Sequence, residues 1–157
     1  MPMLYIYKKG DECLEKRCHK VTRFDKRLKL LVRDMKETLE SANGVGLAAP
    51  QVGIIRRVFV VNMDGEIKEF INPEIIEKRG EQTPIEGCLS VPGVWGKVKR
   101  PAYVKVRAYD CEGNLFEAEG EGVIAEAFEH EMDHLDGKLF DSMIIEYVDM
   151  ESEEKAE

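Results

Sequence analysis

No stretch of the 157 residues is apolar over the ~20 positions that a membrane-spanning helix requires. The opening residues, MPMLYIYKKG, do not place a charged segment ahead of a long apolar one. No secretory signal is therefore read, and the cytosol is the expected compartment. Positive charge is short. Acids outnumber bases 31 to 23, and a net charge of −8 argues against a broad basic face for DNA or RNA. Internal repeats and Pro/Gly/Ser-rich linkers are absent. Cysteine is scarce, and Cys13, Cys18, Cys88 and Cys111 form no CxxC pair. In a cytosolic chain such residues are free thiols or metal ligands before they are disulfides. Cys13, Cys18 and His19 have no fourth ligand nearby, so a zinc knuckle is set aside.

What is present is globular: 43% apolar and 34% charged residues, in a length that suits one domain with one core. That domain is expected over 1–148. The remaining residues, 149–157 (DMESEEKAE), carry five acids and one lysine and read as a solvated, flexible tail. Leu28, Leu31, Val32, Met35 and Leu39 recur on one helical face between about Asp25 and Ala42. Thr22 or Asp25 can cap the start, and Asn43-Gly44 supplies a stop. A small-residue loop comes next, Gly44–Gly53. Strands are expected over Val58–Asn62, Glu69–Asn72, Val94–Val98, Tyr103–Tyr109 and Leu115–Glu119, with turns at Asp64-Gly65 and Glu112-Gly113-Asn114. A second helix is expected from about Gly122 to Asp136, with Gly137 beyond its end and Val123, Ala127, Phe128 and Leu135 on its apolar side. Helix, strand block, helix predicts an α+β fold with antiparallel sheets. Trp95, Tyr103 and Tyr109 read as core or sheet packing.

Two of the three histidines, His130 and His134, stand in His130-Glu131-Met132-Asp133-His134, an HExxH. The i, i+4 spacing puts both rings on one helix face, where neutral imidazoles can share a divalent cation. Glu131 can reach a water polarised by that cation. A catalytic site of this kind wants a third protein ligand. Six residues after His134, where a metzincin has histidine, stands Phe140. A downstream glutamate would have to be Glu151, Glu153 or Glu154, in the polar tail. Upstream, Cys88 lies in Glu86-Gly87-Cys88-Leu89-Ser90, between Pro84 and Pro92-Gly93, on what reads as a tight turn. It is either a buried small hydrophobe or a thiolate ligand. Gly44, Gly46 and Ala49 fit a dinucleotide fingerprint. A helix precedes them, however, and Pro50 interrupts the segment after them, so that reading is rejected. Gln51 remains as an amide able to donate to an oxyanion.

Taken together, GVGLAAPQ (44–51), EGCLS (86–90) and HEMDH (130–134) resemble, in order and spacing, the three signature motifs of the peptide deformylases. The resemblance implies antiparallel sheets packed around a central helix carrying HExxH, with an N-terminal helix. It implies a cytoplasmic hydrolase that removes the formyl group from formyl-methionyl nascent polypeptides, releasing formate. Cys88, His130 and His134 are then the metal ligands. Glu131 is the general acid/base, and Gln51 with the backbone N–H of Leu89 the oxyanion donors. Gly46 would contact the substrate backbone, with Val45 and Gly87 also at the substrate. The metal implied is Fe2+, with Zn2+ able to occupy the same site. The partner implied is an N-formylmethionyl nascent peptide, with the ribosome close by. An acidic tail is ill suited to docking on RNA phosphate, and neither DNA nor a membrane is expected. Two residues depart from the family pattern: Glu129 stands where glutamine is usual, and Glu126 where some relatives have an apolar wall of the methionine pocket. Without a Cys88 ligand, the alternative is an HExxH zinc metalloprotease that cuts internal peptide bonds.

Overall fold

The computed structural model describes residues 3–150. From Glu151 on, the acidic tail lies outside the described residues.

Helix α1 (Lys26–Ala42) starts where the Asp25 carboxylate accepts a hydrogen bond from Leu28 N–H, and ends at Asn43 in the left-handed region. Its stripe of Leu28, Val32, Met35 and Leu39 is buried; Leu31 lies at the margin. Strands β1 (Gly46–Ala48), β2 (Val58–Met63) and β3 (Glu66–Arg79) are followed by the hairpin strands β4 (Ile85–Cys88) and β5 (Val91–Val98). Then come β6 (Tyr103–Tyr109), β7 (Leu115–Glu121), α2 (Val123–Leu135) and β8 (Ile144–Tyr147). All pairings between these strands are antiparallel, in a five-stranded sheet β1-β2-β3-β6-β7 and a three-stranded sheet β4-β5-β8.

The larger sheet lies between the two helices. On β2, Val58 and Val60 pack with the α1 stripe, whereas Phe59 and Val61 pack with α2 residues such as Phe128. This two-sided burial explains the unbroken apolar run of that strand. Phe59, Phe70 and Phe128 form an aromatic chain with successive centroids 5.1 and 5.3 Å apart. α2 is thus anchored by its Phe128 face. At its end Gly137 adopts φ +78°, and a Cβ there would lie 2.7 Å from the Glu15 carbonyl oxygen.

Several expectations are revised. The Gly44–Gly53 loop holds an edge strand, β1, and a 3₁₀ turn, Ala49–Val52. β3 does not stop at Asn72. A bulge between Ile71 and Glu74 absorbs Asn72 and Pro73, and pairing with β6 resumes beyond it. Val123 belongs to no apolar core face and is 58% exposed. Trp95 and Tyr109 are also exposed, and Tyr103 is only half-buried. Cys88 is the last residue of a strand, and the tight turn is Leu89-Ser90 after it.

Candidate metal centre and cleft

Three segments converge on one cleft of about 610 Å³. α2 supplies its floor with His130 and Glu131, the bend before β1, β1 itself and the turn after it supply Val45, Gly46 and Gln51, and the β4–β5 hairpin supplies Gly87, Cys88 and Leu89. All the residues given a ligand, proton-transfer, oxyanion or substrate role in the sequence therefore line it, except His134, which is buried one turn beyond His130.

One ligand atom each from Cys88, His130 and His134 lies within 4.8 Å of the other two, the only such group among the described residues. Cys88 Sγ is 3.4 Å from His134 Nε2. Two ligands of one tetrahedral ion are separated by about 3.3–3.8 Å, so the spacing suits a single cation. His130 Nδ1 lies 2.9 Å from Glu86 Oε1. A carboxylate only accepts, so Nδ1 carries the proton and the Nε2 lone pair is left for the cation. Glu86 is itself fixed. Arg100 donates to it through Nε and Nη2 at 2.6 and 2.9 Å, and its Nη1 donates to Asp133 at 2.7 Å. Burial opposes the charge on Glu86, but the Arg100 and His130 hydrogen bonds hold its pKa below the usual range. Burial disfavours a charge on both rings: for His130 the hydrogen bonds to Cys88 and Glu86 outweigh it and raise the pKa well above the ordinary value, whereas His134 is pushed well down.

Glu131 is 3% exposed and its Oε1 has no hydrogen-bond partner. Burial pushes its pKa up to about 7, the range in which a carboxyl both takes and returns a proton. Its Oε2 occupies the space that a side chain at Gly46 would take: a Cβ there would lie 2.6 Å away. Gln51 is buried. Its Oε1 accepts from Ala48 N–H at 2.9 Å, and its Nε2 donates to Ser90 Oγ at 3.1 Å and stands 3.7 Å from Cys88 Sγ. The amide is thus clamped with its donor end at the thiol. Leu89 comes directly after Cys88 in the turn. Gly87 is the platform for Trp95, whose ring would be 2.3 Å from a Cβ at that position. Phe140 packs against the His130 ring, centroids 5.8 Å apart.

Of the two departures, Glu129 pairs with Lys78 at 3.5 Å, towards β3. Glu126 lines the cleft half-buried, its pKa raised to about 7 by burial and by Glu86. The sequence did not reveal Arg100, nor Trp95 as part of the cleft. Asp133 and Glu86 lie inside motifs but had no role until Arg100 joined them.

A helix carrying HExxH, a cysteine on a strand end and a clamped glutamine around one cleft make up a hydrolase's arrangement. Residues 3–149 match the family model described as polypeptide deformylase, and the chain belongs to that family. It is 50% identical over 155 residues to the peptide deformylase of Acetivibrio thermocellus, covering 99% of this chain and 91% of the relative. The crystal structure of a peptide deformylase from Legionella pneumophila superposes with a TM-score of 0.89 at 44% identity, over 91% of this chain and 86% of that one. A peptide deformylase from Synechococcus elongatus, in complex with actinonin, gives 0.87 at 39% identity, over 92% and 80%. The chain is a hydrolase that removes the formyl group from nascent peptides, and cleavage of internal peptide bonds is not favoured. The family is metal-dependent, and Cys88, His130 and His134 form the candidate site. No helix among the described residues is long and apolar enough to cross a membrane.

Proposed function

We propose that Cys88, His130 and His134 hold one Fe2+ ion, replaceable by Zn2+, and that Glu131, Gln51 and the Leu89 N–H carry the deformylation of formyl-methionyl peptides around it. The observation that supports this most is the closeness of the three ligand atoms beside a buried carboxylate with an unpartnered oxygen. One thiolate and two imidazoles suit either metal. When bound, the cation supplies Lewis-acid chemistry, polarising the formyl carbonyl and acidifying a water.

The residues do the rest. Glu131 accepts the water proton as the formyl carbon is attacked and returns it to the departing amine. The Gln51 N–H that stands at Cys88 Sγ and the Leu89 N–H are the donors for the developing oxyanion; loss of one such donor costs about 3–4 kcal/mol of transition-state stabilisation. A formyl carbon bears only hydrogen, so a close wall rejects larger acyl groups. Val45, Val123 and Ala127 line the cleft as apolar surface for the methionine side chain. β1 and β4 are both sheet edges beside the cleft, which favours a peptide bound as an added strand along Val45–Gly46 or Gly87. Residues 1–148 act as one catalytic domain, and the cytosol, beside the ribosome, is the compartment that free thiols and a nascent substrate favour.

The test is metal analysis and formate release on one anaerobically purified sample. Cys88→Ala is expected to lose metal and turnover together. A variant that keeps both ends the ligand assignment. Wild-type enzyme that cuts a blocked internal peptide faster than formyl-Met-Ala ends the functional one.

A further inference from the structure

The net charge of −8 is an average over two unlike parts. Residues 16–33 hold eight Lys or Arg and one acid, Asp25, so this stretch is +7 while the rest of the chain is −15. Asp25 is itself engaged as the cap of α1. On this side Arg17, Lys20, Arg23, Lys26, Arg27 and Arg56 are exposed and, among the described residues, have no ion pair. Elsewhere among the described residues Lys and Arg are paired with carboxylates, Lys8 and Lys138 excepted. Unpaired cations held side by side repel one another and attract a polyanion.

Residues 16–25 are neither helix nor strand, yet their backbone is pinned. Cys18 N–H donates to the Leu135 carbonyl at 2.8 Å, and Asn72 exchanges two hydrogen bonds with the Val21 backbone at 2.8 and 2.9 Å. His19 N–H donates to the Ile55 carbonyl at 3.2 Å and Arg57 N–H to the His19 carbonyl at 2.9 Å, which lays Arg56 beside the segment. Cys18 and Val21 are buried, and the cations stand outward. The patch is thus ordered before any partner arrives, which lowers the entropic cost of binding. Within it lies a hollow of about 790 Å³ lined by Arg17, His19, Lys20, Arg57 and Tyr109, with Glu74 its one acid. The exposed ring of Tyr109 offers a surface on which an unpaired base can stack.

A lipid surface fits less well, because the apolar stripe of α1 faces β2 and leaves no outward apolar face to enter a membrane. We propose that Arg17, Lys20, Arg23, Lys26, Arg27 and Arg56 form a docking surface for the phosphates of single-stranded RNA, with the hollow at Tyr109 taking a base. None of these cations lines the catalytic cleft. The two sites stand at opposite ends of α1: Lys26 starts the helix, Asn43 beyond its end lines the cleft, and the 17 residues between span about 25 Å. RNA held at the basic end therefore leaves the cleft open to a peptide.

The experiment measures binding of a fluorescent single-stranded RNA of about 20 nucleotides to the metal-loaded enzyme at about 50 and 200 mM salt. With about four phosphates contacted, affinity is expected to fall about 50-fold between the two. Lys20→Glu combined with Lys26→Glu should weaken binding about 10-fold at the lower salt and flatten the salt dependence, while formate release from formyl-Met-Ala is unchanged. Lys68→Glu combined with Lys99→Glu makes the same change in net charge at exposed sites elsewhere and should leave RNA binding as it is. Pure phosphatidylserine vesicles and polyglutamate serve as the rival polyanions. No RNA binding by the wild type at the lower salt, equal losses in the two double variants, or tighter binding to the vesicles or to polyglutamate than to the RNA overturns the proposal.

Discussion

Glu131 and Gly46 share one space, and each sets a condition on the other. Glu131→Gln keeps the shape but cannot take a proton, so kcat should fall about 10²–10⁴-fold. Metal content should be unchanged, because Glu131 is not among the three clustered ligand atoms. Elemental analysis beside a formate assay checks both, and retained turnover would remove Glu131 from the chemistry. Gly46→Ala places a methyl 2.6 Å from Glu131 Oε2, so the carboxylate must shift. A displacement near 1 Å can cost about 10²-fold in rate. The variant should melt close to the wild type yet deformylate at least about 10-fold more slowly. Both residues were legible in the sequence as motif members, but the clash that makes glycine necessary was not. It arises between residues 85 positions apart and exists only once β1 lies under α2.

Between the β4–β5 hairpin and α2, the joint is ionic. Arg100, 4% exposed, holds Glu86 from one strand system and Asp133 from the helix, and Glu86 orients His130. Loss of a partner that orients a metal-ligating histidine lowers metal affinity about 10–100-fold. Glu86→Gln should do so with little change in fold, read by chelator competition. Arg100→Leu should in addition destabilise by about 3–5 kcal/mol in denaturant, since it leaves a buried carboxylate unpaired. Equal affinity in Glu86→Gln would reduce the network to structural support. Periodicity revealed α1, α2 and the centres of five strands, because apolar alternation and helical spacing are local signals. It missed β1, β4 and β8, of three and four residues, whose existence depends on neighbours far away in the chain. It ended β3 at Asn72-Pro73, because a proline that normally stops a strand here sits in a bulge. Cys88 could be either core or ligand from the sequence alone; only the hairpin that carries it to α2 separates the two.

Helix α1, the large sheet and the β6–β7 turn are tied together at Glu69, so the stability of the fold should respond to its ionisation. Glu69 is on β3; its carboxylate pairs with Lys36 of α1 at 2.6 Å and accepts from Cys111 N–H, just after β6, at 3.1 Å. Burial alone would raise its pKa, but the Lys36 and Cys111 hydrogen bonds outweigh it and hold the pKa at about 2, below the ordinary 4.5. A carboxyl whose pKa is depressed in the folded state contributes its stability in full above the unfolded value. That contribution is lost as pH falls from about 4.5 through about 2. With solvent screening of a partly exposed pair, about 1 kcal/mol is at stake. Urea denaturation at pH 7 and at pH 3 measures it. Glu69→Gln should be less stable than the wild type at pH 7, and the gap should narrow towards pH 3 because the wild type has by then begun to lose the same interaction. A gap that stays constant with pH would mean that Glu69 stabilises the fold through packing and not through charge.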